Sequence, residues 1–153
     1  MNTLLAAGLF AACAAASSAA LAQFTKVPMP LRAESPGVSQ AQTEQAYRRD
    51  AAQRVYAAFP AHIHKGKLPP LMYAIAITET DVDATGQITD VRLTREPAAA
   101  KEVGPWVVAL LRQMVRLPAP AQMERATYKD IWLVDKSGKF QLDTLTEGQR
   151  SGL

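Results

Sequence analysis

Cysteine is nearly missing from this chain of 153 residues, and the single one, Cys13, lies in an uncharged N-terminal stretch. A chain that begins after that stretch has no thiol, which excludes intramolecular disulfides and cysteine catalysis. Histidine is almost as scarce. His62 and His64 are the only two, and no Cys, third His or Glu-x-x-His pattern accompanies them. No Gly-x-Ser-x-Gly surrounds a serine, and no glycine-rich phosphate loop precedes a helix. Lys and Arg are scattered, and the formal net charge is only +3, so a nucleic-acid groove is not expected. These absences point away from catalysis and indicate no cofactor.

What is present starts with an address. Thr3 to Ala22 carries no charge and ends in Ala20-Leu21-Ala22 before Gln23, a small-x-small pattern suited to signal-peptidase cleavage. Residues 1–22 are therefore read as an export signal. The competing readings are an uncleaved anchor, since the stretch approaches the roughly 20 residues that span a bilayer, and a lipoprotein modified at Cys13, since Phe10-Ala11-Ala12-Cys13 faintly resembles a lipobox. Any membrane contact is expected through that segment alone.

Residues 23–39 contain Pro28, Pro30, Pro36 and Gly37 without periodicity and are expected to form a flexible linker. A domain over residues 40–143 follows, and residues 144–153 read as a polar, frayed tail. With Ser39 as N-cap, a helix is predicted from Gln40 to about Ala58, its apolar stripe being Tyr47, Ala51, Val55 and Phe59, with Pro60 as its stop.

Met72 to Thr80 alternates, with Tyr73, Ile75 and Ile77 on one side and Met72, Ala74, Ala76 and Thr78 on the other. Asp83-Ala84-Thr85-Gly86 supplies a turn, and Thr89, Val91 and Leu93 resume the period of two. Gly104-Pro105 opens a second helix in which Val107, Leu110, Leu111 and Met114 form the apolar face, and Pro118 stops it. Thr127 to Val134 reads as a strand, with Ile131 and Leu133 facing one way and Tyr128, Trp132 and Val134 the other; Lys139 to Leu142 adds a short strand. The expected fold is α+β: a small antiparallel sheet of three to four strands covered by one or two helices, with Ile77 and Leu110 at the interface between layers.

Two motifs are weighed for metal. His62-x-His64 in extended chain puts both imidazoles on one side, which makes a small metal-binding or carrier protein the alternative function, but Lys65 and Lys67 would repel a cation and a surface loop is the preferred reading. Asp81-Val82-Asp83-Ala84-Thr85-Gly86 partly matches a calcium loop, yet its twelfth position is Arg92 where a bidentate Glu is required, so it reads as a turn.

The order helix, strand, Asp-x-x-Gly turn, strand, helix, proline exit, strand resembles the C-terminal domains of TonB and TolA. The residues carrying the resemblance are Phe59-Pro60 ahead of Lys65-Gly66, the strand Ala74 to Thr78, the run Asp83 to Val91, and Leu110 to Pro120, in which an apolar and basic run meets proline. It covers roughly Tyr47 to Leu142. Energy-transducing members carry an uncleaved anchor and a long spacer of Glu-Pro and Lys-Pro repeats, and here the intervening stretch is short. The resemblance therefore implies a stand-alone, non-enzymatic module of the Gram-negative periplasm that binds envelope proteins. Pairing of an edge strand with an extended partner segment is the expected mode, on the last strands, with Trp132, Tyr128, Lys129 and Gln141 as partner-binding residues.

Overall fold

The computed structural model describes residues 21–31 and 35–151, so the signal segment and its alternatives at Cys13 lie almost wholly outside the described residues. Among these, no helix is long and apolar enough to cross a membrane. The main elements are β1 (Val38–Ser39), α1 (Glu44–Ala58), β2 (Ala74–Asp83), β3 (Ile88–Arg95), α2 (Val103–Met114), β4 (Ala119–Pro120), β5 (Arg125–Val134) and β6 (Phe140–Leu142). Four strands form an antiparallel sheet in the order β3-β2-β5-β6, and β1 pairs with β4 in a separate two-residue parallel ladder. The chain thus has the expected α+β class.

Helix α1 starts later than the sequence suggests. Its cap is Thr43, whose hydroxyl accepts the N–H of Ala46 at 3.2 Å. Ser39 instead donates to Asp50 at 2.6 Å from within β1. Tyr47, Ala51, Val55 and Phe59 are all buried as the spacing requires, and α2 likewise buries Val107, Leu110, Leu111 and Met114. Helix α1 packs over β5, and α2 over β3 and β2.

The sheet face under the helices is the reverse of the expected one. It carries Ala74, Ala76, Thr78, Thr80 and Val82 of β2, directly opposite Val134, Trp132, Asp130, Tyr128 and Ala126 of β5. Ile75 and Ile77 lie on the far face, paired across strands with Leu133 and Ile131, and are only half-buried. The physical reason is volume. Small residues on β2 leave room for the large rings of β5 and for the helix side chains above them, so the bulkier isoleucines are displaced outward.

Two stretches expected to be loose are held. Phe24 is buried, stacked on Tyr73 and edge-on to Trp106, and the Trp106 indole N–H donates to the Lys26 carbonyl at 3.3 Å. At the other end Leu68 exchanges backbone hydrogen bonds with Gly148 and Arg150, which pins the tail beside the 66–68 loop.

Candidate functional site

Of the four residues expected to meet a partner, three are inside. Trp132 and Tyr128 have no exposed surface, Gln141 is 1% exposed, and only Lys129 stands in solvent, next to Glu79 at 3.2 Å. Trp132 packs 4.7 Å from the Phe140 ring and donates its indole N–H to Thr78 at 2.9 Å. The Tyr128 hydroxyl donates to Asp130, itself buried and paired with Arg48 at 2.9 Å. The Gln141 amide donates to the His64 and Gly66 carbonyls, and its oxygen accepts from Thr146 and Glu147. Gln141 is therefore the clasp that closes two loops over β6, because a buried amide must satisfy both its ends.

The last strand is accordingly not the open edge. Its outer side is covered by the bridge between Ile63 and Phe140 and by the His64 N–H donating to the Phe140 carbonyl at 2.9 Å. The histidines serve this same loop. His64 Nδ1 lies 2.9 Å from the Asp135 carboxylate, His62 is half-buried beside Lys26 and Met29, and no group of three potential ligands occurs among the described residues.

The hairpin end is a cluster of charges already satisfied by one another. Arg92 pairs with both Asp81 and Asp90, and the Thr127 hydroxyl donates to Asp81 at 2.9 Å. The hydrogen bond from Arg92 holds the Asp81 carboxyl below the usual carboxylate range. Asp83 accepts from the Thr85 N–H and hydroxyl and from the Gln87 N–H, which makes Asp83-Ala84-Thr85-Gly86 a self-capped turn. Asp135-Lys136-Ser137-Gly138 repeats the device, Asp135 accepting from Ser137 and Lys139. A cavity of about 610 Å³ lies beside the first turn, lined by Glu44, Asp81, Asp83, Arg92 and Arg125, and its Asp81 and Asp83 carboxylates are held by the hydrogen bonds just described.

What the fold leaves open is the outer side of β3. The Thr94 and Thr89 hydroxyls reach the carbonyls of Ile77 and Asp81, so the alternate main-chain groups of β2 in that stretch face β3. The main-chain groups of Arg92, opposite Glu79, then face β2, and alternation turns the main-chain groups of Val91 and Leu93 away from it, while the Val91 side chain stays in the core. The first part of this edge is taken by the chain itself: Ile88 N–H donates to Val115 at 2.9 Å and Leu117 N–H to Gly86 at 2.9 Å. Gly86 must be glycine there, since a Cβ would sit 2.3 Å from the Leu117 carbonyl oxygen.

Beyond Ile88 the edge is blunted only by side chains. Asp90 accepts the Val91 N–H at 2.8 Å and Arg112 reaches the Val91 carbonyl at 3.5 Å. A groove of about 230 Å³ runs alongside, lined by Thr89, Asp90, Val91, Arg112 and Val115. The sequence signal for it was the strand itself; its position at the sheet edge depends on β5 pairing with the other side of β2, which no local pattern reports. No known protein family, curated protein or solved structure matches this chain.

Proposed function

We propose that this chain is a non-enzymatic protein-interaction module of the Gram-negative periplasm, of the TonB and TolA C-terminal kind, that binds an extended segment of an envelope protein as an added strand on β3. The observation that carries the reading is the groove beside the main-chain groups of Val91 that face away from β2. Main-chain pairing there gives affinity, and the adjoining groove selects side chains. The chain's own Val115-Arg116-Leu117 segment, hydrogen-bonded to the start of the same edge, supports the idea that the edge accepts a further strand. Asp90 and Arg112 then act as guards that keep indiscriminate strands away and are displaced by the right one.

The test is site-specific photo-crosslinking of the full chain exported in a Gram-negative host. A crosslinker at Thr89, exposed on this edge, is expected to give discrete adducts with envelope proteins, and one at Gln53, exposed on α1, is not. Equal adduct patterns from the two positions, or none from Thr89, would refute the edge reading.

A further inference from the structure

A second groove, of about 520 Å³, lies between the 29–31 segment and the C-terminal end of α2. The 29–31 segment is held in place where the Leu31 N–H donates to the Ala58 carbonyl at 2.8 Å. Three of the six large hydrophobic side chains exposed among the described residues line this one groove: Met29 at 79%, Leu31 at 58% and Val115 at 57% exposure. Such concentration marks a contact surface, whereas single exposed apolar residues do not. Val115 is also the only described residue other than glycine with a positive φ, at 62°, and β-branched residues adopt that conformation only when their surroundings impose it.

The polar groups in the groove are unsatisfied in a complementary way. Arg54 and Arg116 bring two guanidinium groups and no described carboxylate lines the groove. Nε and Nη1 of Arg54 are buried with no acceptor among the described residues, and Oε1 of Gln113 is buried with no donor. Groups of this kind are normally paired, so each that is not asks for a partner. Burial also pushes the Arg54 guanidinium below its ordinary value, the direction expected for a cation lacking its anion.

We propose that this groove binds the C-terminal carboxylate of a peptide whose last residue is apolar. A carboxylate answers Arg54 and Arg116, the amide N–H of the same terminal residue answers Gln113 Oε1, and the apolar side chain lies against Met29, Leu31 and Val115. A simple fatty acid supplies the anion and the apolar body but lacks the N–H. The two sites share Val115, but Arg54 and Gln113 line only this groove and so distinguish it from strand addition at β3.

The experiment is fluorescence anisotropy with the full chain and a labelled Ala-Ala-Leu-Leu peptide with a free C-terminus. Amidating the peptide and the variant Arg54→Met are each expected to weaken binding by about tenfold or more, as loss of a charge-assisted hydrogen bond requires. Gln113→Leu is expected to weaken it by roughly threefold to tenfold. Crosslinking from Thr89 should be unchanged in Arg54→Met, which separates this site from the edge. Glu34 lies in sequence between Leu31 and Pro36 but outside the described residues, so Glu34→Gln is tested beside the native protein. The proposal is overturned if neither protein binds the peptide at millimolar concentration, if the amidated peptide binds equally well, or if decanoate displaces the peptide as effectively as N-acetyl-leucine does. Should Arg54→Met fail to fold by circular dichroism, the amide comparison on native protein and the Gln113→Leu variant decide.

Discussion

Replacing Trp132 separates a core residue from a surface anchor more sharply than any other substitution. Its side chain is wholly buried, lies 4.7 Å from Phe140 and faces Ala76 and Leu142 across the neighbouring strands. Truncating such a ring costs about 3–5 kcal/mol through lost burial and the cavity that remains. The Thr78 hydroxyl, buried and bonded to the indole, loses its donor, a further cost of about 1–3 kcal/mol. Trp132→Ala should thus cost about 4–8 kcal/mol, a large part of the roughly 5–15 kcal/mol that a domain commands. Trp132→Phe orphans Thr78 and also exchanges the indole for a smaller phenyl ring, so it should cost at least about 1–3 kcal/mol, and Thr78→Val, which orphans the indole N–H, should cost about 1–3 kcal/mol. Combined, they remove both polar partners and should fall short of additivity by about 1 kcal/mol. Urea denaturation followed by far-ultraviolet circular dichroism gives the four free energies. A Trp132→Ala midpoint indistinguishable from the native one would refute the placement of Trp132 and restore it as a candidate contact.

Arg48→Met should destabilise the fold by about 3–5 kcal/mol in the same assay, because it leaves the fully buried Asp130 carboxylate with neutral donors only. Gly66→Ala, with φ of 80° in open space, should cost about 1–2 kcal/mol through backbone strain alone, and Gly86→Ala should cost more, because at φ of 85° the new methyl also meets the Leu117 carbonyl. Stability should fall on acidification. Asp81, through the Arg92 hydrogen bond, and Asp83, through the Thr85 hydroxyl, have lowered pKa values, so their contributions are complete above about pH 4, where the unfolded carboxylates are ionised, and are lost as pH drops through the folded values. Arg92→Gln should shrink that acid loss when urea midpoints at pH 7 and pH 3 are compared.

The elements were legible wherever one local rule decided them. The β2–β3 turn follows from an Asp that caps its own loop and a Gly that takes φ of 85°. Both helices follow from apolar spacing. Faces were not legible in the same way, since aliphatic character marked Ile75, Ile77, Ile131 and Leu133 as core while the structure buries the Ala–Trp and Thr–Tyr pairs instead. That choice is made by complementary volume across two strands separated by some fifty residues, as in Ala76 opposite Trp132, and neither strand alone contains it. The expected partner residues differ for this reason: reading Ile131 and Leu133 as core places Trp132 and Tyr128 outward together, whereas both side chains are wholly buried. The start of α1 failed differently. Ser39 and Thr43 are both good caps, and the choice between them rests on Asp50 accepting from Ser39, a contact eleven residues away. The unsatisfied Arg54 and Gln113 had no sequence signal at all, because burial of a polar atom is a property of the packed chain.

The N-terminal segment joins the export reading to the fold. Cleavage before Gln23 leaves Phe24 as the second residue of the processed chain, and the structure spends that residue in the core, between Tyr73 and Trp106. A site only two residues further on would delete the ring and expose the indole of Trp106 together with the face of Tyr73. The processed chain should therefore begin at Gln23 by mass spectrometry of protein exported from a Gram-negative host. A chain shortened to start at Lys26 should be less stable by about 3 kcal/mol, the low end for losing a buried phenylalanine because the segment is terminal. Phe24→Ala in the longer chain should reproduce most of that loss, which separates the ring from the backbone around it. If the shortened and longer chains unfold at the same urea concentration, Phe24 is not a working part of the core, and the folded domain begins later than the aromatic cluster indicates.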